Sequence, residues 1–148
     1  MGPKGMSTYT MMDVMMASPE RPLPEHKRTH QLLIMYEALH SLEQDPKPQN
    51  IHWDRVNNSI LMMEALLGMG HIQDPDGLLL DAVEALGKAG FRSMEGQTLR
   101  LDGKDIMTVR GVLEDYSNII HVMSERTMIQ AHRKAEQRVI KIIKRYKR

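Results

Sequence analysis

IHWDRVNNSILMMEALLGM, residues 51–69, is the stretch that decides the fold. Trp53, Val56, Ile60, Met63 and Leu67 recur in steps of three and four, the spacing that lines one stripe of an α-helix. Gly68 and Gly70 supply a stop at its C-terminal end.

The same rhythm continues outward in both directions. Upstream, Leu32, Met35, Tyr36, Leu39 and Leu42 predict a helix from Glu25 to Glu43, which Pro46 and Pro48 end. Pro19, Pro22 and Pro24 forbid a continuous helix before residue 25, so residues 1–24 read as a flexible N-terminal arm. Met1 to Gly5 read as a non-native leader ahead of a start at Met6. Downstream, Asp74-Pro75-Asp76-Gly77 is a turn, and a helix is predicted from Leu78 to Ala89. Gly87-Lys88-Ala89-Gly90 lacks the spacing of a phosphate-binding loop and reads as the C-cap of that helix.

Residues 91–105 are ambiguous. Gln97 to Leu101 alternate polar and apolar, and Asp102-Gly103 suits a tight turn, so a short hairpin or an extended loop is expected around 97–107. Isolated hairpins are marginal, which favours the loop. From Lys104 or Asp105 onward, Ile106, Val109, Leu113, Tyr116, Ile120 and Met123 keep a three-four rhythm. A new phase follows with Met128, His132, Ala135, Val139, Ile142 and Tyr146. Thr127 and Gln130 fit a capping box, so a bend is expected at 124–127 and a separate last helix over about 127–146.

These elements predict an all-α fold, a compact bundle of about five amphipathic helices forming one domain over residues 25–148. Composition agrees: aromatics are 4% and Met has 14 copies, so the core must be aliphatic and thioether-rich. The absence of cysteine excludes disulfides, thiolate catalysis and Cys-ligated metals. No run of 18 apolar residues occurs and the N-terminus lacks the layout of a secretory signal, so no membrane partner is expected and the cytoplasm is the default location.

The net charge of +1 hides an asymmetry. Residues 126–148 carry nine Lys or Arg against one acid, Glu136, whereas the rest of the chain carries eleven basic and eighteen acidic residues. The tail is therefore +8 and the body −7, a split that points to an anionic partner. On a helical wheel Arg126, Arg133, Lys134, Arg138, Lys141, Lys144, Arg145 and Arg148 fall opposite the apolar side. Such a row can follow a nucleic-acid phosphate backbone, DNA or RNA, without reading sequence. Docking of an acidic protein ranks second, and a solvated face favourable to the helix dipole ranks third.

Histidine is the one residue type that invites a catalytic or metal reading. His26 and His30 share a face but sit beside Lys27 and Arg28, which disfavours a cation. His121, Glu125, His132 and Glu136 would share a roughly 60° arc only if the last two helices were one straight rod. The break near Thr127 separates them, and a hydrogen-bonded His132–Glu136 pair is the plainer expectation. No catalytic motif, cofactor motif or metal site is therefore predicted. The expected function is that of a non-enzymatic accessory subunit binding nucleic acid through its basic helix, within a larger nucleoprotein complex. The alternative is a protein–protein adaptor or regulator in which the basic helix or the methionine-rich arm docks on an acidic or apolar partner surface, apolar docking depending on residues such as Met62, Leu66 or Tyr9. Self-association suits a helical protein of this size, although no sustained heptad specifies a coiled coil.

Overall fold

Six helices form among the described residues, 8–146 of a computed structural model, and no strand accompanies them. They are α1 (Met11–Met16), α2 (Glu25–Gln44), α3 (Asn50–Gly68), α4 (Leu78–Met94), α5 (Gly103–Ile119) and α6 (Glu125–Tyr146). The proposed leader, Met1 to Gly5, lies outside the described residues.

Helix α3 is the hub, contacting α2, α4, α5 and α6. The expected single stripe is too narrow for that position: Val56, Asn57, Ser59, Ile60, Leu61, Met62, Met63 and Leu66 are all buried. A helix surrounded by neighbours must be apolar on nearly every side, and the run Ile60-Leu61-Met62-Met63 supplies that. Its end follows the Schellman pattern, with Gly70 left-handed at φ 82° and the His71 N–H donating to the Leu66 carbonyl at 2.9 Å. On α2, Met35, Ala38, Leu39 and Leu42 face the core, whereas Tyr36, expected on that face, is exposed.

Helix α4 runs past its expected stop at Ala89. Gly90 is not a cap but a contact: a Cβ there would lie 2.9 Å from the Trp53 ring. The indole N–H donates to the Leu86 carbonyl at 2.9 Å, which seats the ring on the glycine. The helix stops instead at Gly96, φ 84°, where the Gln97 N–H reaches the Arg92 carbonyl. The Asp74 carboxylate caps its start by accepting from the Leu79 and Leu80 N–H groups at 3.0 and 3.3 Å.

No hairpin forms around 97–107. The alternation is real, since Leu99 and Leu101 are buried, but the chain there pairs with the end of α2. The Leu101 N–H donates to the Leu42 carbonyl at 2.9 Å, Arg100 Nε to the Glu43 carbonyl and the Thr98 hydroxyl to the Pro46 carbonyl. Those bonds satisfy carbonyls that a helix C-terminus leaves without partners.

The last two helices are separate. The cap lies three residues before the expected one: Ser124 Oγ accepts from the Thr127 N–H at 3.1 Å. Met128, Ile129, Ala131 and Ala135 bury the inner side of α6, and Val139 packs at the edge of the core.

Residues 8–24 run along α6. Thr10 and Asp13 close a capping box at the start of α1, and Val14 and Ala17 pack on Ile129. The bends that follow α1 cap α6: the Glu125 N–H donates to the Arg21 carbonyl at 2.7 Å and the Arg126 N–H to the Ser18 carbonyl at 3.0 Å. The orphan donors of one helix start are thus bonded by a segment remote in sequence.

Candidate nucleic-acid interface

The eight basic residues singled out in the sequence divide into three groups. Arg126, Arg133 and Arg138 are half-buried and turned inward. Arg126 donates through Nε to the Val14 carbonyl and through Nη2 to the Met15 carbonyl, both at 3.1 Å, and so holds the end of α1. Arg138 pairs with Glu64 of α3 at 3.1 Å. Arg133 lies against Met11, with Nη1 3.7 Å from the thioether sulfur. Lys134, Lys141, Lys144 and Arg145 are exposed and have no carboxylate partner among the described residues. Arg148 lies outside the described residues.

At about 100° per residue, Lys134, Lys141 and Arg145 fall within a roughly 40° arc, and Lys144 lies about 80° to one side. At about 1.5 Å per residue the row spans roughly 16 Å of rod. The internal contacts are made by guanidinium groups, while the three ammonium groups stay in water together with Arg145 near the end of the helix. Behind the row, the apolar residues Ile142 and Ile143 of α6 meet Trp53, Phe91 and Met94 across a groove of about 330 Å³.

The histidine and carboxylate cluster is dispersed. His121 sits exposed in the turn between α5 and α6. The Glu125 carboxylate accepts from the Ser18 N–H at 2.9 Å. Glu136 accepts from the Thr8 N–H at 3.0 and 3.1 Å and from its hydroxyl at 3.2 Å. His132 Nε2 lies 3.3 Å from Glu136, near enough for charge interaction but not aligned as a hydrogen bond. Burial pushes the His132 pKa down, and the neighbouring Glu136 only partly opposes that shift. No three metal-ligating side chains converge among the described residues.

Of the side chains expected to line an apolar docking surface, Met62 and Leu66 are core residues and Tyr9 is half-buried against the edge of His132, ring centres 5.2 Å apart. Exposed apolar side chains do cluster on α1, in the methionine-rich arm, where Met11, Met12, Met15 and Met16 are open. The sequence carried that signal as a methionine-rich run behind a Thr10–Asp13 capping box.

The fold and this surface together define a helical bundle with one cationic helix. No protein-family model, no curated protein and no solved structure matches the chain.

Proposed function

We propose that this chain is an accessory subunit, without chemistry of its own, that binds the phosphate backbone of DNA or RNA through the outer face of α6. The observation that carries the reading is the row of Lys134, Lys141, Lys144 and Arg145, exposed and unneutralised by any described carboxylate. Four such cations on a rigid helix release counterions when they meet phosphates, which is a sequence-independent source of affinity. No helix among the described residues is long and apolar enough to cross a membrane, and a cytoplasmic nucleoprotein complex is the setting we assign.

Fluorescence anisotropy with labelled single- and double-stranded DNA and RNA tests this. Four phosphate contacts give a slope of log K against log[salt] of about −3.6 on duplex DNA, a loss of roughly 150-fold between 50 and 200 mM salt. Changing Lys141, Lys144 and Arg145 together to Glu abolishes binding. Absence of binding at 50 mM salt, or a slope untouched by the triple change, refutes the proposal.

A second reading rests on α1. Its four exposed methionines, the most open being Met16 at 79%, make a flexible apolar face suited to a protein partner. Binding through that face would survive moderate salt and fail when Met12 and Met16 become Ser.

A further inference from the structure

Residues 8–23 do more than cap α6: Tyr9 and Leu23 form one wall of a cavity of about 290 Å³ whose other walls come from α2, α3, α5 and α6. That volume is roughly that of ten liquid water molecules. Most of the lining is apolar, with Ile34, Met35, Met62, Met128 and Ile129 around it. The methionines among them give a surface that adapts to the shape of a guest.

One buried hydroxyl at this space has only long bonds on its donor side. The Tyr116 hydroxyl, in a residue only 2% exposed, lies 3.4 Å from Gln31 Oε1 and 3.8 Å from the Met62 sulfur. Both distances are long for a hydroxyl donor. Ser59 interacts with the same oxygen. His132 contributes its ring to the lining, but its Nε2 has no accessible surface and lies 3.3 Å from a Glu136 carboxylate oxygen, so that atom is closed to a guest. A buried hydroxyl such as that of Tyr116, held only at long distance from its acceptors, costs free energy that a correctly placed guest would recover. The charged side chains at the cavity, Asp54 and Arg55, are one of each sign, and burial raises the Asp54 pKa. The lining therefore offers no net charge to an ionic guest.

We infer that this cavity is a binding site for a small neutral molecule with an apolar body and one hydroxyl or amide head, the head meeting the Tyr116 hydroxyl. The head group supplies the short acceptor that the Tyr116 hydroxyl lacks, and the body fills the thioether-lined space. Because Tyr9 closes one wall, occupancy is coupled to the seating of the N-terminal segment on α6. Nothing in this site requires the cationic row to bind nucleic acid.

Full-length protein labelled at the methionine methyl carbons, titrated with 1-hexanol, tests the site. The expected result is saturable shifts of the Met35, Met62 and Met128 methyls, while Met94 in the neighbouring groove and the exposed Met107 stay still. Hexanoate and hexylammonium, of equal length but charged, should bind at least about tenfold more weakly, because an unpaired charge resists burial. Tyr116→Phe should weaken hexanol about fivefold, the scale of one hydrogen bond. Ile34→Phe should block the cavity, its fold checked by the dispersion of the remaining methyl signals. Linear, unsaturable shifts, a response centred on Met94, or equal responses to the three probes would each overturn the inference and leave a merely hydrated cavity.

Discussion

Gly90→Ala offers a sharp check on the packing argument, because two large effects of opposite sign meet at one atom. In an open helix interior, alanine is favoured over glycine by about 1 kcal/mol. At position 90 the new Cβ would sit 2.9 Å from Cζ2 of Trp53, 3.3 Å from Cε2 and 3.5 Å from Cη2. The ring has little freedom to retreat, since its Nε1–H is bonded to the Leu86 carbonyl one turn earlier on the same helix. Overpacking of this type costs about 1–3 kcal/mol, and losing the indole bond adds about 1 kcal/mol. The net expectation is a destabilisation of about 1–3 kcal/mol. Gly87 lies on the same helix with nothing within 4 Å of its would-be Cβ, so Gly87→Ala should stabilise by about 0.5–1 kcal/mol. Urea unfolding followed by circular dichroism and by fluorescence reads both, and Trp53, the single tryptophan, makes the fluorescence local to the contact. The two alanine variants should differ by about 1.5–4 kcal/mol, with opposite signs relative to the parent. If Gly90→Ala proves as stable as Gly87→Ala, the tryptophan-on-glycine account of why α4 passes its expected stop is wrong.

Two further outcomes follow from the seam between the N-terminal segment and α6. Arg126→Ala removes both side-chain donors to the Val14 and Met15 carbonyls, so amide exchange over residues 10–21 should accelerate at least about tenfold, a loss of about 1–2 kcal/mol confined to the segment; unchanged exchange there would show that the guanidinium is not the fastener. His132 has a folded-state pKa depressed mainly by burial, so the neutral ring is favoured in the native state, and its contribution is present above the unfolded value near 6.5 and lost as pH falls through the folded pKa. Stability from urea midpoints should therefore fall as pH is lowered below 6.5, and His132→Gln should flatten that dependence; an identical pH profile in the variant would contradict the assignment.

What the sequence disclosed depended on whether the deciding partner was local. The face of α5 was legible because Ile106, Val109, Leu113, Tyr116 and Ile120 repeat at helical spacing and all are buried. The break before α6 was also legible, though its cap was placed at Thr127 rather than Ser124: both hydroxyls suit the role, and only the geometry of the Ser124 Oγ bond chooses. The stop of α4 was placed at Gly90 and lies at Gly96. The choice between them belongs to Trp53, on another helix. Residues 97–101 alternate as a strand does because Leu99 and Leu101 must point inward, yet the partner is the frayed end of α2, which no local pattern announces. The seating of residues 8–24 on α6 was hidden for the same reason, since backbone carbonyls such as those of Ser18 and Arg21 carry no residue signature.

The candidate interface shows the same division in electrostatic form. The charge of the tail could be counted from the sequence, but its deployment could not, and the two lead to different measurable slopes. Counting seven or eight phosphate contacts would give a salt slope steeper than about −6 on duplex DNA, whereas the four exposed cations give about −3.6. The difference arises because Arg126 and Arg138 have partners within the fold and Arg133 lies against α1. Arginine suits such places, with a planar fork that satisfies carbonyls and carboxylates while its stem is buried, whereas lysine favours a hydrated head. The salt slope therefore also reports on the fold. A value near −3.6 means that phosphate meets the outer row alone, and a value near −6 means that binding has drawn the inner arginines off their partners. In that case Arg126 lets go of α1, and the N-terminal segment lifts from α6 as nucleic acid binds.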